Sequence, residues 1–389
     1  MMKKSLILIL ALVMTVSMVF AGCGKKQDDT KTPDTGESVD KEENNDDKTA
    51  DTDTDDVLKI KLLINGNLGD KSFFDSAKAG LELIENKYGD KVVVEHEEMT
   101  YDETKWEPAL LDASDKDYDI IIVGTYQMAE ILQDVAVDYP DKRYIIFDSA
   151  VDYEGFDLPN VYSIEYKQNE GSFLAGVLAT RITTSGIEKT NEDKKIGFIG
   201  GMENNVINDF LVGYIDGALY ADKDTKVASS YIGGFDDVAT AKEMSLTQYK
   251  QGGVDIGFNV AGQAGLGQIE AAAEADKYVI GVDSDQSALF AEDKNKSDRI
   301  LTSVLKRVDQ SLLRAIDMHI EGTLPYGEAE SLGFKEKAID IVDTNPNVPA
   351  EIMEELAEIE QKIIDGEIKV KSAFSMTQDE IAELRDSVK

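Results

Sequence analysis

From Leu58 onward the chain repeats one pattern: a short apolar run, a helix-length amphipathic stretch, then another apolar run. A parallel sheet with crossover helices requires that alternation, because its strands are buried on both faces and each connection must carry the chain back across the sheet. The runs are Leu58–Ile64, Lys91–Val94, Asp119–Val123, Arg143–Phe147, Val161–Ile164, Lys195–Ile199, Lys226–Ile232, Val254–Phe258, Tyr278–Val282, Ile300–Val304 and Ala338–Val342. Eleven are too many for one ordinary doubly wound sheet. The spacing therefore predicts two α/β lobes that divide near residue 165. Between the runs, Phe74, Ala77, Leu81, Ile84 and Tyr88 form one helical face after Asp70, the expected N-cap, and Gly89 can close the helix. Gln168–Gly176 is rich in small residues and suits close packing at a lobe junction. A further amphipathic helix is expected from Pro349 to Ile364, with Gly366 just past its end.

Charge narrows what such lobes can bind. Lys+Arg 40 against Asp+Glu 77 leaves −37, a field that repels phosphate backbones, so nucleic acid is not an expected partner. With Cys 1 and His 2 the chain has no disulfide framework and no set of soft ligands for zinc; no cofactor or metal is expected. His96, within an acidic strand end, reads as a surface residue, and His319, on an apolar helix face, as a satisfied histidine under the sheet.

Residues 1–22 carry Lys3 and Lys4, the apolar run Leu6–Phe20 and then Ala21-Gly22 before Cys23, the only cysteine. That is the layout of a secretory signal. The small pair before Cys23 also resembles a bacterial lipobox, with Phe20 where leucine is usual, which would make Cys23 the lipid attachment site. The apolar run is shorter than the ~20 residues a spanning helix needs. Residues 23–56 lack the apolar content to offset the entropy of ordering and are expected to be a disordered acidic tether. Its Asp51–Asp56 stretch invites a calcium reading, but an EF-hand loop starting at Asp51 would need glycine and glutamate where the chain has Asp56 and Leu62.

In open α/β sheets ligands bind beyond the carboxyl ends of the strands, so those ends carry the chemistry. After the first strand, Asn65-Gly66-Asn67-Leu68-Gly69-Asp70-Lys71-Ser72-Phe73 looks briefly like a phosphate-binding loop, but Asp70 separates Gly69 from Lys71 and puts a carboxylate where phosphate would sit. Phe73 opens the following helix, and Phe235 opens the corresponding helix of the second lobe after Gly233-Gly234. Two aromatics at equivalent places can sandwich a planar ligand, although either alone also reads as core. Asp148 and Asp283 end strands and suit hydrogen bonds from neighbouring hydroxyls; capping the next helix is the plain alternative. Lys306 is expected in the first turn of the helix after Ile300–Val304, where the dipole disfavours a cation, so a carboxylate or ligand hydroxyl should lie near it. Neither a Gly-x-Ser-x-Gly elbow nor a His-Glu-x-x-His motif occurs in the sequence.

Five ordered segments then carry a resemblance: Gly69-Asp70-Lys71-Ser72-Phe73, Glu170–Gly176, Ala261-Gly262, Ile280–Gln286 and Thr302–Val308. Together, across roughly residues 57–371, the chain resembles the basic membrane protein family of ABC-transporter substrate-binding lipoproteins, whose members include purine nucleoside receptors. The resemblance implies the type I periplasmic-binding-protein fold: two Rossmann-like lobes joined by three crossovers, with a ligand cleft between them. It implies an N-terminal lobe of 57–164 plus 283–330, a C-terminal lobe of 165–282 plus 331–371, and a C-terminal extension of 372–389. It makes Phe73 and Phe235 the stacking pair on a base, Asp283 with Lys306 the grip on ribose, and Asp148 a further polar contact. Gly262 would let backbone approach the ligand, and Asn65 and Lys71 would contribute from the first strand-end turn. Where nucleoside-binding members carry aspartate in that turn, this chain has Asn65, which donates as well as accepts.

The expected function is that of a lipid-anchored receptor on the extracytoplasmic face of the cell membrane, without enzymatic activity. It captures a nucleoside, purine first, and delivers it to the permease subunits of an ABC transporter. The alternatives are a receptor for a free sugar or other small polar ligand on the same fold, a surface lipoprotein without transport, or a nucleoside-cleaving enzyme. The last would need an aspartate cluster that Asn65-Gly66-Asn67 does not offer.

Overall fold

The computed structural model describes residues 57–343 and 347–389. The signal segment, Cys23 and the acidic tether lie outside the described residues.

Two six-stranded sheets organise the chain. The first is built from β1 (Leu58–Ile64), β2 (Val92–Glu98), β3 (Ile120–Gly124), β4 (Arg143–Phe147) and β5 (Val161–Tyr166). The second uses β6 (Lys195–Gly200), β7 (Lys226–Tyr231), β8 (Ile256–Val260), β9 (Tyr278–Asp283) and β10 (Ile300–Lys306). Late in the chain β11 (Glu328–Leu332) returns to the first sheet, and β12 (Ile339–Ile341) to the second. The orders are β11-β5-β4-β3-β1-β2 and β12-β10-β9-β8-β6-β7, so the two lobes repeat one topology. All pairings are parallel except β10 with β12. The central strands are apolar because helices cover both faces: Ile60, Leu62, Ile120, Ile122, Phe198 and Ile280 are fully buried.

Helices α1 (Phe73–Tyr88), α2 (Trp106–Asp115) and α3 (Ala129–Asp138) flank the first sheet. Then come α4 (Gln168–Thr184), α5 (Asn205–Ala221), α6 (Val238–Lys250) and α7 (Leu266–Ala275), the single turns α8 (Gln286–Leu289) and α9 (Lys294–Ser297), and α10 (Val308–Ile320), α11 (Ala350–Ile364) and α12 (Gln378–Ser387). The small residues of Gln168–Gly176 do serve close packing, but the partner is α5. A Cβ on Gly176 would stand 2.1 Å from the Tyr214 carbonyl oxygen, and one on Gly217 would stand 2.0 Å from that of Phe173.

The chain crosses between sheets three times, between β5 and α4, after β10, and between β11 and β12. The expected boundary at residue 283 is corrected by the pairing of β10 with β9: the second sheet keeps the chain through Lys306, and the return begins at α10. That helix packs on α1, where Asp309 takes the Ser76 hydroxyl oxygen as acceptor for its N–H, and a Cβ on Gly80 would stand 3.1 Å from the Asp309 carbonyl. Lys306 likewise ends β10 rather than opening a helix. One strand went unforeseen: β11, whose Glu-Ala-Glu-Ser-Leu lies at a sheet edge with little burial to mark it.

Candidate functional site

The sheet order reverses between β1 and β3 and between β6 and β8, and at such switch points the loops separate and leave a crevice. One cavity collects both crevices. The first lobe contributes Asp70 and Phe73 after β1, Thr125 and Tyr126 after β3, and Asp148 after β4. The second lobe contributes Asn204, Phe235 and Gly262 after β6, β7 and β8, with Asp283 and Lys306 at the ends of β9 and β10. Counting its opening to solvent, the cavity leaves ≈ 630 Å³ between atoms.

The backbone turns sharply at these strand ends. Thr125, Asp148 and Asp283 have φ of 73°, 65° and 64° without being glycine. Such conformations cost roughly 1–3 kcal/mol each and persist where surrounding structure enforces them, so three in one cleft mark it as a built site. Gly262 has φ 54°, a turn that glycine makes without strain, and a Cβ there would touch Phe235 at 3.7 Å.

One end of the cavity is polar and buried. Lys306, only 2% exposed, donates from Nζ to Asp148 Oδ1 at 2.6 Å and faces the rings of Phe210, Tyr166 and Phe73 at 4.8, 5.4 and 5.6 Å. Asp283 Oδ2 accepts the Ser72 hydroxyl at 2.5 Å. Burial raises the Asp283 carboxyl to about 6, against the lowering effect of Lys306 and Ser72. Burial also raises Asp148, opposed by Lys306. Each carboxylate offers more acceptor positions than these partners fill, so the end can receive hydroxyl or N–H donors.

The two phenylalanines stand on opposite lobes. Phe73 is braced by the rings of Phe74 at 5.2 Å and Phe147 at 5.4 Å. Phe235 lies on the backbone of Gly201, where a Cβ would come within 2.4 Å of its ring.

Two expected contacts stand elsewhere. Asn65 is buried behind the cavity wall, where its Nδ2 donates to Thr125 Oγ1 at 2.8 Å and its Oδ1 has no partner. Lys71 reaches away from the cavity, placing Nζ 3.4 Å from the Leu289 carbonyl and 5.3 Å from the Phe290 ring centre. It joins the lobes at their rim, where Gln286 Nε2 donates to the Lys71 carbonyl at 3.1 Å and the Ser284 hydroxyl to that of Ser72 at 3.2 Å. Asp70 caps α1 from outside its end, accepting the N–H groups of Ser72, Phe74 and Asp75; burial raises it to about 7.

Sequence reasoning missed Tyr101, Tyr126, Asn204 and Phe210. Tyr126 donates to Met202 Sδ at 3.6 Å across the lobes. Only Asn204 carried a usable signal: it is the N-cap of α5, accepting from the Ile207 N–H at 3.0 Å.

Two lobes of one topology, crossed three times by the chain and enclosing a cavity at their strand ends, define a two-lobed solute-binding protein with the type I periplasmic-binding-protein fold. Over residues 57–373 the chain matches the family described as ABC transporter substrate-binding protein PnrA-like, and it belongs to that family. It is 31% identical over 317 residues to basic membrane protein A2 of Borrelia garinii subsp. bavariensis, a match spanning 81% of this chain and 88% of that one. It is 29% identical over 386 residues to a CD4+ T-cell-stimulating antigen of Listeria innocua, spanning 95% and 99%. Among solved structures, an ABC transporter solute-binding protein from Aeropyrum pernix K1 superimposes with a TM-score of 0.72 at 28% identity, covering 85% of this chain and 98% of that one.

Proposed function

We propose that this substrate-binding protein captures a nucleoside, purine first, between its lobes and delivers it to the permease of an ABC importer, without changing it chemically. The observation that carries the reading is one cavity walled by a phenylalanine from each lobe, Phe73 and Phe235, and ending in Asp148, Asp283 and Lys306. A base stacks between rings, and adjacent ribose hydroxyls donate to Asp283 while Lys306 donates to a ribose oxygen. Gly262 adds backbone at close range. Asn65 acts through Thr125, and Lys71 through closure of the lobes. Cys23 carries the lipid that holds the receptor at the extracytoplasmic face of the membrane, and the acidic segment before Val57 is its tether.

Titration calorimetry with inosine, guanosine, adenosine, cytidine, ribose and myo-inositol tests the reading. The expected order is purine nucleosides first, cytidine weaker and the free sugars weakest. Ribose or myo-inositol binding more tightly than every nucleoside would replace it with a sugar receptor on the same fold.

A further inference from the structure

A second cavity adjoins the first. It shares Tyr126, Asp148, Asn204 and Val206 with the ligand cleft, runs to the crossover between β5 and α4, and leaves ≈ 930 Å³ between atoms, including its opening. It begins at Asp148, the carboxylate held by Lys306, and so at the polar end of the cleft. Glu165, Tyr166 and Gln168 line its far side, with Phe374, a half-exposed aromatic, at its edge. Gln168 is 1% exposed, donates through Nε2 to Asp209 at 2.8 Å, and leaves Oε1 without a partner. Among the described residues that line this cavity there is no lysine or arginine, while two carboxylates, Asp148 and Glu165, face it. Burial and then the charge of Asp148 both raise Glu165, so the pair is close enough to feel one another.

We propose that this cavity is a second compartment of the binding site, which accepts a neutral or cationic substituent on the sugar of the bound nucleoside and rejects an anionic one. The proposal rests on the nucleoside reading above. With the neighbouring 2′ and 3′ hydroxyls on Asp283, the 5′ carbon is the position left to carry a substituent toward Asp148. Unfilled acceptors on Gln168, Glu165 and Asp148 match donors such as an ammonium or hydroxyl. A 5′ phosphate would meet two carboxylates in a lining without lysine or arginine, while Lys306 lies in the neighbouring cleft, shared between Asp148 and the ribose.

Calorimetry on the full protein with inosine, guanosine and adenosine and their 5′-amino-5′-deoxy, 5′-methylthio and 5′-phosphate derivatives tests this. The amino and methylthio derivatives should stay within about tenfold of the parent, with the amino derivative the tighter, and the phosphate should weaken by about 30-fold or more. Glu165→Gln should erase about fivefold of the amino preference, as for a partly exposed charge pair, while leaving the parent nucleoside unchanged. If the parents bind but both neutral and cationic derivatives fall by more than about 100-fold, the compartment is not continuous with the sugar end and the proposal is overturned. Phosphate derivatives binding as well as the parents overturn its charge selectivity, and equal losses for parent and amino derivative in Glu165→Gln overturn the role of Glu165. Failure of every parent to bind would instead strike the nucleoside reading, and this inference with it.

Discussion

At the scale of single residues, the aromatic pair is the sharpest test. Stacking on an aromatic face is worth about 1–3 kcal/mol per base, so Phe73→Ala or Phe235→Ala should each weaken a purine nucleoside roughly 5–150-fold, with ribose little changed. Replacement by tyrosine should retain most of the affinity, and calorimetry on the single variants checks it. A second test is pH. In the proposed site Asp283 accepts from two hydroxyls more strongly when charged, and its carboxyl sits at about 6, so nucleoside affinity should level off above that pH and fall below it. Ligand-free stability should move the other way. Asp70, Asp209 and Asp283 are all raised by burial, to about 7, 6 and 6, so between the ordinary carboxylate range and those values the folded chain holds protons that the unfolded chain has lost. Their contribution to stability is present at low pH and disappears as pH rises through that window. Thermal melts and calorimetry across pH 4.5–8 should show the opposed trends, and Asp283→Asn should flatten the affinity slope. Phe73, Asp148, Asp283 and Lys306 were legible because strand ends are a fixed address in this fold. Tyr101 and Tyr126 were not, since a tyrosine in a loop belongs to no periodic pattern that would single it out.

At the scale of elements, most strands could be read because burial on both faces leaves an uninterrupted apolar run. The polar edge strand β11 has no such mark, and the start of α1 was misplaced because Asp70 caps it from two residues before Ser72. Small residues in α4 were legible as a need for close approach, but their partner α5 was not, since sequence carries no record of which helix lies opposite. Gly217→Ala would push a methyl to 2.0 Å from the Phe173 carbonyl. Overpacking of this kind typically costs 1–3 kcal/mol, about that much should be lost in urea unfolding, and Gly186→Ala, with nothing nearby but a φ of 70°, serves as the control for backbone strain alone. The C-terminal extension is also an element with a task. Asp209 on α5 accepts from the Ser372 hydroxyl at 2.6 Å and the Ala373 N–H at 2.9 Å, and Gln378 Nε2 donates to Asn205 Oδ1 at 3.0 Å. Arg385 pairs with Glu203 at 2.7 Å. These contacts hold the start of α5, which supplies Asn204 and Phe210 to the cleft.

At the scale of the whole molecule, affinity includes the free energy of bringing the lobes together, and residues that touch only the rim enter it. Lys71→Ala removes a contact to Leu289 and Phe290 that lies outside the cavity. It should weaken every nucleoside by the same modest factor, about 2–10-fold, and leave the order of preference intact. Calorimetry with the same ligand panel checks this; a change in preference among bases would show that Lys71 reaches the ligand. The topology has a different consequence, for synthesis. Tyr162 pairs with Glu328, and Val304 with Ile341, so each sheet receives its last strand only when the chain is nearly complete. A nascent chain stopped before Glu328 lacks an edge of both sheets, and no early fragment contains a finished lobe. Both sheets are thus completed only by residues Glu328–Ile341, so the finished native pairing forms late in synthesis rather than strand by strand from the start.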